Sequence, residues 1–392
     1  MPADNLHEAQ SRLIDDEPSQ SVKVSVLSSE KLASRRRWRH LSDKTAKVSI
    51  AVGGISVIVA ILLIFAYLFY EVVPLFAGAT VDEAASYDLQ DSSASLHLAI
   101  EEQSEMAMRL GDDGVARFFD LESGENAATI AVKVPSGATI TSFALDSEQS
   151  GLFALGLNTG EAVVARYAYD TRFAQLDNRR ILTPKIDYPF GEIPYTLAVD
   201  KPLASIALRT SGENMMLAAT ARGGELSLLK ASKQTSLFAA FDLGGGAEFE
   251  IEERRLSGMT LGGEQLFIDG DRFWLFVIDD EGLARLLSLR TAFTAPNPQF
   301  EVQALLTAGR ANPTDISFLL GGISLLVGDD QGAISQWFLT KRDDNVALEK
   351  IRSFQDSASP VVSLSPEQRR KSFVSVDAQG VVSLFNTTAR RQ

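Results

Sequence analysis

The chain has 392 residues, of which 51 are acidic and 37 are basic, so its formal net charge is −14 at neutral pH. Residues 48–392 alone carry 44 acidic and 28 basic side chains, a net charge of −16, which repels nucleic acid and argues against it as a partner. The sequence contains no cysteine, which excludes disulfides, thiol catalysis and thiolate metal sites.

The first 47 residues form a polar segment with nine basic and seven acidic side chains. Residues 1–30 are rich in serine and mixed in charge, which is typical of disorder. A basic cluster around one tryptophan follows, consisting of Arg35, Arg36, Arg37, Trp38 and Arg39. We interpret this cluster as a topology determinant that contacts anionic lipid, in preference to the alternative of a docking site for a cytoplasmic partner.

Residues 48–70 contain 23 consecutive uncharged positions, and 14 of them are Ile, Leu, Val or Phe. A helix of that length spans about 35 Å, enough for a hydrocarbon layer of about 30 Å. A buried helix of a soluble core would need a polar stripe, and none occurs before Glu71. The sequence therefore predicts one transmembrane helix over residues 48–73, with Ser42 or Asp43 available as an earlier cap and Pro74 ending it.

The charges beside this helix predict its orientation. Eight basic residues lie between Lys23 and Lys47, whereas eight acidic residues lie between Glu71 and Glu105 without a basic one. By the positive-inside rule, residues 1–47 are cytoplasmic and residues 74–392 form a domain on the other side. A cleaved signal peptide is the alternative, because Ala77-Gly78-Ala79 resembles a cleavage site. The 47 residues before the apolar run are too many for a signal peptide, so we favour a retained signal anchor.

The domain over residues 74–392 repeats one short pattern around a glycine. The six glycines are Gly114, Gly160, Gly224, Gly282, Gly332 and Gly380. Apolar and polar residues alternate after each glycine, as in a strand with one buried face, and another apolar segment precedes it. Each repeat is therefore predicted to contain a hairpin with a tight glycine turn. A further strand is predicted upstream of the hairpin in several repeats.

The glycines are 46, 64, 58, 50 and 48 residues apart, and a four-stranded propeller blade takes about 40–50 residues. We therefore predict an all-β domain, a WD40-like β-propeller with six blades, or seven if a wide interval holds another blade. The Trp-Asp and Gly-His pairs of WD40 repeats are missing. A β-sandwich is the less favoured alternative, because sandwich strands rarely share one repeated pattern. Residues 82–90 are predicted to supply the outer strand of the last blade and to close the ring.

The residues after position 47 offer little for catalysis, because they include one histidine, His97, and no cysteine. The carboxylates of Asp112-Asp113, Asp279-Asp280-Glu281 and Asp329-Asp330 lie at the glycine turns. We interpret them as turn residues, in preference to a calcium site or an acid/base pair. Three basic groups, Arg179-Arg180, Arg254-Arg255 and Arg369-Arg370-Lys371, are interpreted as solvated faces. We predict no enzyme activity, no cofactor and no metal site.

Two phrases flank the apolar helix, RWRHL at Arg37–Leu41 and EVVPLF at Glu71–Phe76. With that helix they resemble the start of the PstC-type permease subunits of phosphate ABC transporters in Gram-negative bacteria. Longer members of that family carry a propeller-like periplasmic domain after their first membrane helix. The resemblance implies a single-pass protein of the bacterial inner membrane with a periplasmic propeller. It also implies that the partners are other transporter subunits, namely a permease, an ATPase and a phosphate-binding protein.

Two functions follow from these patterns. The first is the anchored propeller portion of a phosphate permease, which acts as a scaffold or regulatory domain. It is not itself a pore, because no second apolar segment of membrane length is present in the sequence. On this interpretation the chain is a fragment of a permease or a separately encoded part of one. The alternative is a free-standing, membrane-anchored interaction or assembly propeller that is unrelated to phosphate.

Overall fold

The computed structural model describes residues 29–76, 86, 92–175, 180–233, 249–256, 264–271, 273–307, 309, 311–342, 345–354, 357–367 and 369–388. The chain divides into two compact units, Met1–Ala84 and Ala85–Gln392.

The first unit contains helix α1, Ser29–Val72, and a 3-10 turn over Val73–Phe76. The helix begins before the predicted caps Ser42 and Asp43, because residues 29–47 contain no proline or glycine and are rich in Lys, Arg, Leu and Ala, which propagate a helix. Part of the segment predicted as a disordered tail is therefore helical. The stretch Trp38–Val72 is long and apolar enough to cross a membrane. A signal sequence passes the same test of length and composition.

The second unit contains six antiparallel sheets whose strands follow one another in chain order. The first sheet consists of β1 (Ser95–Ile100), β2 (Met106–Gly111), β3 (Val115–Asp120) and β4 (Asn126–Ala131). The second consists of β5 (Ile140–Leu145), β6 (Leu152–Leu157), β7 (Glu161–Phe173) and β8 (Arg180–Asp187), with the short β9 (Tyr195–Thr196) paired to β7. The third consists of β10 (Leu203–Ser211), β11 (Asn214–Ala221), β12 (Glu225–Lys233) and β13 (Phe249–Leu256).

The remaining three sheets repeat this order. The fourth consists of β14 (Gln265–Ile268), β15 (Trp274–Ile278), β16 (Leu283–Ser288) and β17 (Val302–Leu305), with helix α2 (Leu289–Thr294) between the last two strands. The fifth consists of β18 (Pro313–Phe318), β19 (Ser324–Asp329), β20 (Ile334–Arg342) and β21 (Asn345–Ser353). The sixth consists of β22 (Val361–Pro366), β23 (Ser372–Asp377) and β24 (Val382–Asn386).

This arrangement is a six-bladed β-propeller, which confirms the predicted fold and excludes the sandwich. First strands of neighbouring sheets contact each other, as β5 does with β10, β10 with β14 and β18 with β22, so they are the inner strands. The wide intervals between glycines are filled by longer strands and loops, such as β7 with its 13 residues, rather than by a seventh sheet among the described residues.

Hydrophobic clusters fill five of the boundaries between neighbouring sheets. Phe118 of the first sheet joins Phe153 of the second, and Leu217 of the third joins Leu152 of the second. The third and fourth, the fourth and fifth, and the fifth and sixth sheets share similar clusters. Both faces of the second strand are buried in the first five sheets, as the pattern of β6 shows over all six residues, whereas β23 of the sixth sheet alternates between half-buried and buried residues.

The described residues place no such cluster between the sixth sheet and the first. An ion pair joins these sheets, from Arg369 in the turn after β22 to Glu102 in the turn after β1. The strand predicted over residues 82–90 lies outside the described residues, except for Ser86.

Candidate functional site

The six glycines of the repeat all lie in turns between the second and third strands of their sheets, on what we call the glycine-turn face. Their φ angles lie between 74° and 87°, the left-handed region that side chains with a Cβ rarely adopt. At Gly332 an added Cβ would also lie 2.4 Å from the carbonyl oxygen of Ser357 and 2.6 Å from that of Ser359. Glycine is therefore required there for space as well as for conformation.

Carboxylates in three of these turns bind the backbone. Asp279, Asp329 and Asp377 each stand three residues before their glycine, and one oxygen of each accepts two backbone N–H groups at 2.8–3.2 Å. A hydrogen bond from the Ser357 hydroxyl lowers the pKa of Asp377. The described residues contain no group of three or more His, Asp or Glu side chains that could hold a metal ion. This geometry agrees with the interpretation of these carboxylates as turn residues.

His97 lies on β1 between the first and second sheets. Its ring stacks on Phe143 at 5.5 Å between centroids, and its Nε2 lies 3.5 Å from a carboxylate oxygen of Glu148. The Tyr167 hydroxyl donates to the same carboxylate at 3.0 Å, and burial raises the pKa of that tyrosine. The histidine is therefore packed between two blades.

Two of the basic residues predicted as solvated join parts of the propeller instead, so that prediction is wrong for them. Arg180 binds Glu101, and its Nη1 lies 3.4 Å from Glu105, which ties the second blade to the first and lowers the pKa of Glu101. Arg254 donates to the carbonyl oxygen of Ala295 at 2.6 Å, from the third blade to the fourth. Arg179 lies outside the described residues.

The opposite side of the propeller, which we call the first-turn face, carries the turns between first and second strands. Arg209 on β10 donates to the carbonyl oxygen of Asp146 at 2.6 Å. The Asp146 carboxylate in turn accepts the backbone N–H of Thr210 at 2.7 Å and its hydroxyl at 2.8 Å. A Cβ added to Gly322 in the fifth blade would lie 2.4 Å from Arg209 Nη2. Arg209 therefore joins the third blade to the second and lies close to the fifth.

Three large apolar side chains are exposed on two neighbouring turns of the first-turn face. They are Phe273, Leu320 and Ile323, with 58%, 42% and 55% of their surface exposed. The backbone N–H of Gly270 donates to the carbonyl oxygen of Gly322 at 2.7 Å, so the two turns are held together. Asp269, whose pKa is raised by burial, accepts the N–H of Phe273 at 2.9 Å and fixes the first turn. We call these three residues the apolar turn patch.

A depression of about 580 Å³ lies between the second and third sheets. Two ion pairs lie beside this depression, Arg166 with Asp187 at 2.8 Å and Lys233 with Glu213 at 3.5 Å. Both cations already have carboxylate partners, so the depression offers no uncompensated charge to an anion.

The basic cluster predicted from the sequence lies within α1. Trp38 is 76% exposed and Arg39 is also exposed, whereas the side chains of Arg35, Arg36 and Arg37 lie outside the described part of the chain. Sequence reasoning missed Arg209 and the apolar turn patch. Phe273 belongs to the apolar segment before Gly282 but lies just outside β15, which begins at Trp274, and no repeat pattern marks the turn that carries Leu320 and Ile323.

Comparison with known proteins finds similar folds and no family. No family model matches the chain, and no curated protein does. One similar solved structure is the Cps50 (Swd1) β-propeller domain of Myceliophteria thermophila, with 12% identity, coverage of 77% of this chain and 88% of that chain, and a TM-score of 0.43. Another is that of the RRP9 WD40 repeats, with 11% identity, coverage of 76% and 78%, and a TM-score of 0.43. The assignment of the propeller fold therefore depends on the strand order of this chain and not on these comparisons.

Proposed function

We propose that this protein is a free-standing, membrane-anchored propeller that binds a partner protein through its first-turn face. The observation that carries the proposal is the apolar turn patch, because large exposed apolar side chains on two turns that are bonded to each other indicate an interaction site. The patch is fixed by hydrogen bonds to Asp269 and between Gly270 and Gly322. A preorganised surface of this kind loses little conformational freedom on binding.

The anchor in this proposal is α1, whose apolar stretch Trp38–Val72 has the length and hydropathy of a membrane span. The basic residues before it favour a cytoplasmic N-terminus by the positive-inside rule, and hence a propeller on the far side of the membrane. Membership of a phosphate permease stays a prediction from the RWRHL and EVVPLF phrases, since no family model matches the chain.

The test is site-specific photocrosslinking of the full-length protein in intact cells. A photoreactive residue at Phe273 is compared with one at Ile193, which is 83% exposed and lies in the loop after the second sheet, towards the glycine-turn face. We expect a discrete crosslinked protein from position 273 that is absent from position 193. We also expect Leu320→Asp with Ile323→Asp to reduce that product about tenfold or more, since burying two carboxylates against an apolar surface costs well over 1.4 kcal/mol.

Either of two results would overturn the proposal. The first is equal labelling at positions 273 and 193, which would indicate nonspecific encounters. The second is a crosslinked product that survives the double aspartate substitution while the domain keeps its unfolding temperature.

A further inference from the structure

The depression between the second and third sheets combines an apolar floor with polar walls. Its volume of about 580 Å³ lies within the range of about 300–1,000 Å³ that small-molecule sites occupy. Two of its lining residues, Leu152 and Phe190, are buried members of the hydrophobic cluster between these sheets and form the floor. The Tyr195 hydroxyl donates to the carbonyl oxygen of Phe190 at 2.5 Å, which fixes the position of that residue.

One wall of the depression is a row of side chains across the second sheet. Leu152 on β6 lies opposite Arg166 on β7, and Arg166 lies opposite Asp187 on β8, so the three side chains share one face of the sheet. The Arg166 guanidinium donates to the Asp187 carboxylate through Nε and Nη2, both at 2.8 Å. Its Nη1 therefore keeps two N–H donors that have no protein acceptor among the described residues.

The other wall is formed by the turn between β10 and β11 and by the end of β12. Lys233 Nζ lies 3.5 Å from the carboxylate of Glu213, whose side chain is 63% exposed. Gly212 in the same turn has a φ of 57°, and a Cβ added there would meet nothing within 4 Å. The Gln149 side-chain amide also lines the depression and makes no hydrogen bond within the described part of the chain. The walls therefore present donors and acceptors together.

The paired charges of the walls decide which class of molecule fits between them. An ion of either sign that entered the depression would lie beside pairs that are already neutral, so it would lose hydration without gaining an opposite charge. A hydroxyl group donates one hydrogen bond and accepts two, so it can bind a carboxylate and a guanidinium or amide at once. Neighbouring hydroxyls of a sugar ring match such groups, and the C–H face of the ring suits the apolar floor.

We propose that this depression is a binding site for a neutral saccharide. The sugar hydroxyls bind Arg166 Nη1, the Glu213 carboxylate and the Gln149 amide. One face of the sugar ring packs on Leu152 and Phe190. The site lies between the second and third blades, whereas the apolar turn patch lies on the fourth and fifth, so saccharide binding and partner binding can fail separately.

The test is isothermal titration calorimetry of the full-length protein in lipid nanodiscs, which avoid detergents with sugar head groups. The probes are glucose, galactose and N-acetylglucosamine. We expect at least one of these neutral sugars to bind with a Kd of about 1 mM or below. Glucuronate, which adds a negative charge to a sugar ring, should bind about tenfold more weakly than the tightest of them, because both cations of the depression are already paired.

Two variants locate the binding. Gln149→Ala removes an amide partner and should raise the Kd about fivefold, and Gly212→Asn, a residue that tolerates positive φ, should raise it at least as much by placing a side chain in the depression. Gln103→Ala, at an exposed glutamine of the first blade, is the matched control and should leave the Kd unchanged.

Three results would overturn the proposal. The first is that none of the three neutral sugars binds. The second is binding that both depression variants leave unchanged while they keep the wild-type unfolding temperature. The third is tighter binding of glucuronate than of every neutral sugar, which would indicate an anion site.

Discussion

At the scale of single residues, Asp315 on β18 links the fifth and sixth blades. One of its carboxylate oxygens accepts a hydrogen bond from the backbone N–H of Leu364 in β22 at 2.5 Å. The other accepts one from the backbone N–H of the neighbouring Ile316 at 2.9 Å. Burial nevertheless raises the pKa of this carboxyl above its ordinary value, since the two backbone donors do not fully replace water.

The raised pKa of Asp315 predicts a pH dependence of stability. Because the folded protein holds the proton to a higher pH than the unfolded chain, the contribution of Asp315 to the free energy of unfolding increases as the pH falls through the folded pKa towards 3.8. The asparagine side chain of Asp315→Asn does not titrate, so this variant lacks the pH-dependent contribution. We expect the free energy of unfolding of the wild type minus that of Asp315→Asn to increase from pH 7 to pH 4, by at most about 1.4 kcal/mol per pH unit, in urea titrations.

Asp377 provides the matched control, since its pKa is lowered and the sign of the dependence is opposite. Its contribution is present above its ordinary pKa and is lost as the pH falls through the folded pKa. The corresponding difference between the wild type and Asp377→Asn should therefore decrease towards acid pH. If the two free-energy differences changed with pH in the same direction, the opposite pKa shifts assigned to Asp315 and Asp377 would be contradicted.

The turn glycines show what a residue pattern can predict. Their spacing and polar neighbours identified the turns from sequence alone, and all six have positive φ. The pattern could not distinguish Gly332, where a Cβ would meet two carbonyl oxygens, from Gly380, where nothing lies within 4 Å. That difference depends on the loop from β21 to β22, whose Ser357 and Ser359 lie beside Gly332 only in the folded propeller.

At the scale of elements, the boundary between the fifth and sixth blades is an aromatic cluster. Phe373 on β23 is fully buried, with ring centroids 4.8 Å from Phe354 and 5.0 Å from Phe385. Edge-to-face and stacked geometries both occur in this group, and each stabilises the fold beyond the free energy gained by burying the rings. This cluster attaches the three-stranded sixth blade to the rest of the propeller.

Removal of the Phe373 ring should destabilise the propeller. We expect Phe373→Ala to lower the free energy of unfolding by about 3–5 kcal/mol, because it removes a buried ring and leaves a cavity. Phe173→Ala, at the end of β7 where the side chain is 62% exposed, should change it by less than about 0.5 kcal/mol. Denaturant titration of both variants in detergent measures the difference, and similar losses would show that the sixth blade does not pack as described.

The strands themselves were predictable because each blade repeats an apolar segment, a glycine turn and a second segment in which apolar and polar residues alternate. The sequence also indicated the end of α1, which lies at Val72 beside Pro74. It did not indicate the start of α1 at Ser29, because the apolar run begins only after the basic residues, although these also favour a helix. Helix α2 has six residues and is capped by Ser288, too short a segment for periodicity to identify.

At the scale of the whole molecule, the proposed membrane anchoring predicts that the apolar run of α1 determines in which compartment the propeller lies. Its fourteen Ile, Leu, Val and Phe residues give an insertion free energy of roughly −4 to −8 kcal/mol as an upper estimate. We expect Ile58→Arg with Ile61→Arg to abolish insertion, since each arginine near the helix centre costs about 2.5–3.5 kcal/mol. A reporter enzyme that is active only after export, fused after Gln392, measures the loss.

Leu41→Arg is the control for this prediction, because Leu41 lies on the same helix outside the apolar run and is 64% exposed. It adds to the basic segment and should leave the reporter active. An inactive reporter on the otherwise unchanged chain would contradict the orientation, and an active one in the double arginine variant would contradict the membrane span.

The sequence by itself determined the repeat, a count of six or seven blades, the turn glycines and the apolar helix, because each depends on side chains close together along the chain. Only the tertiary structure decided which surfaces are available for binding. The apolar turn patch consists of turns about 50 residues apart, which the hydrogen bond between Gly270 and Gly322 holds together. Such features arise when blades pack side by side, and packing between distant segments leaves no period in the sequence.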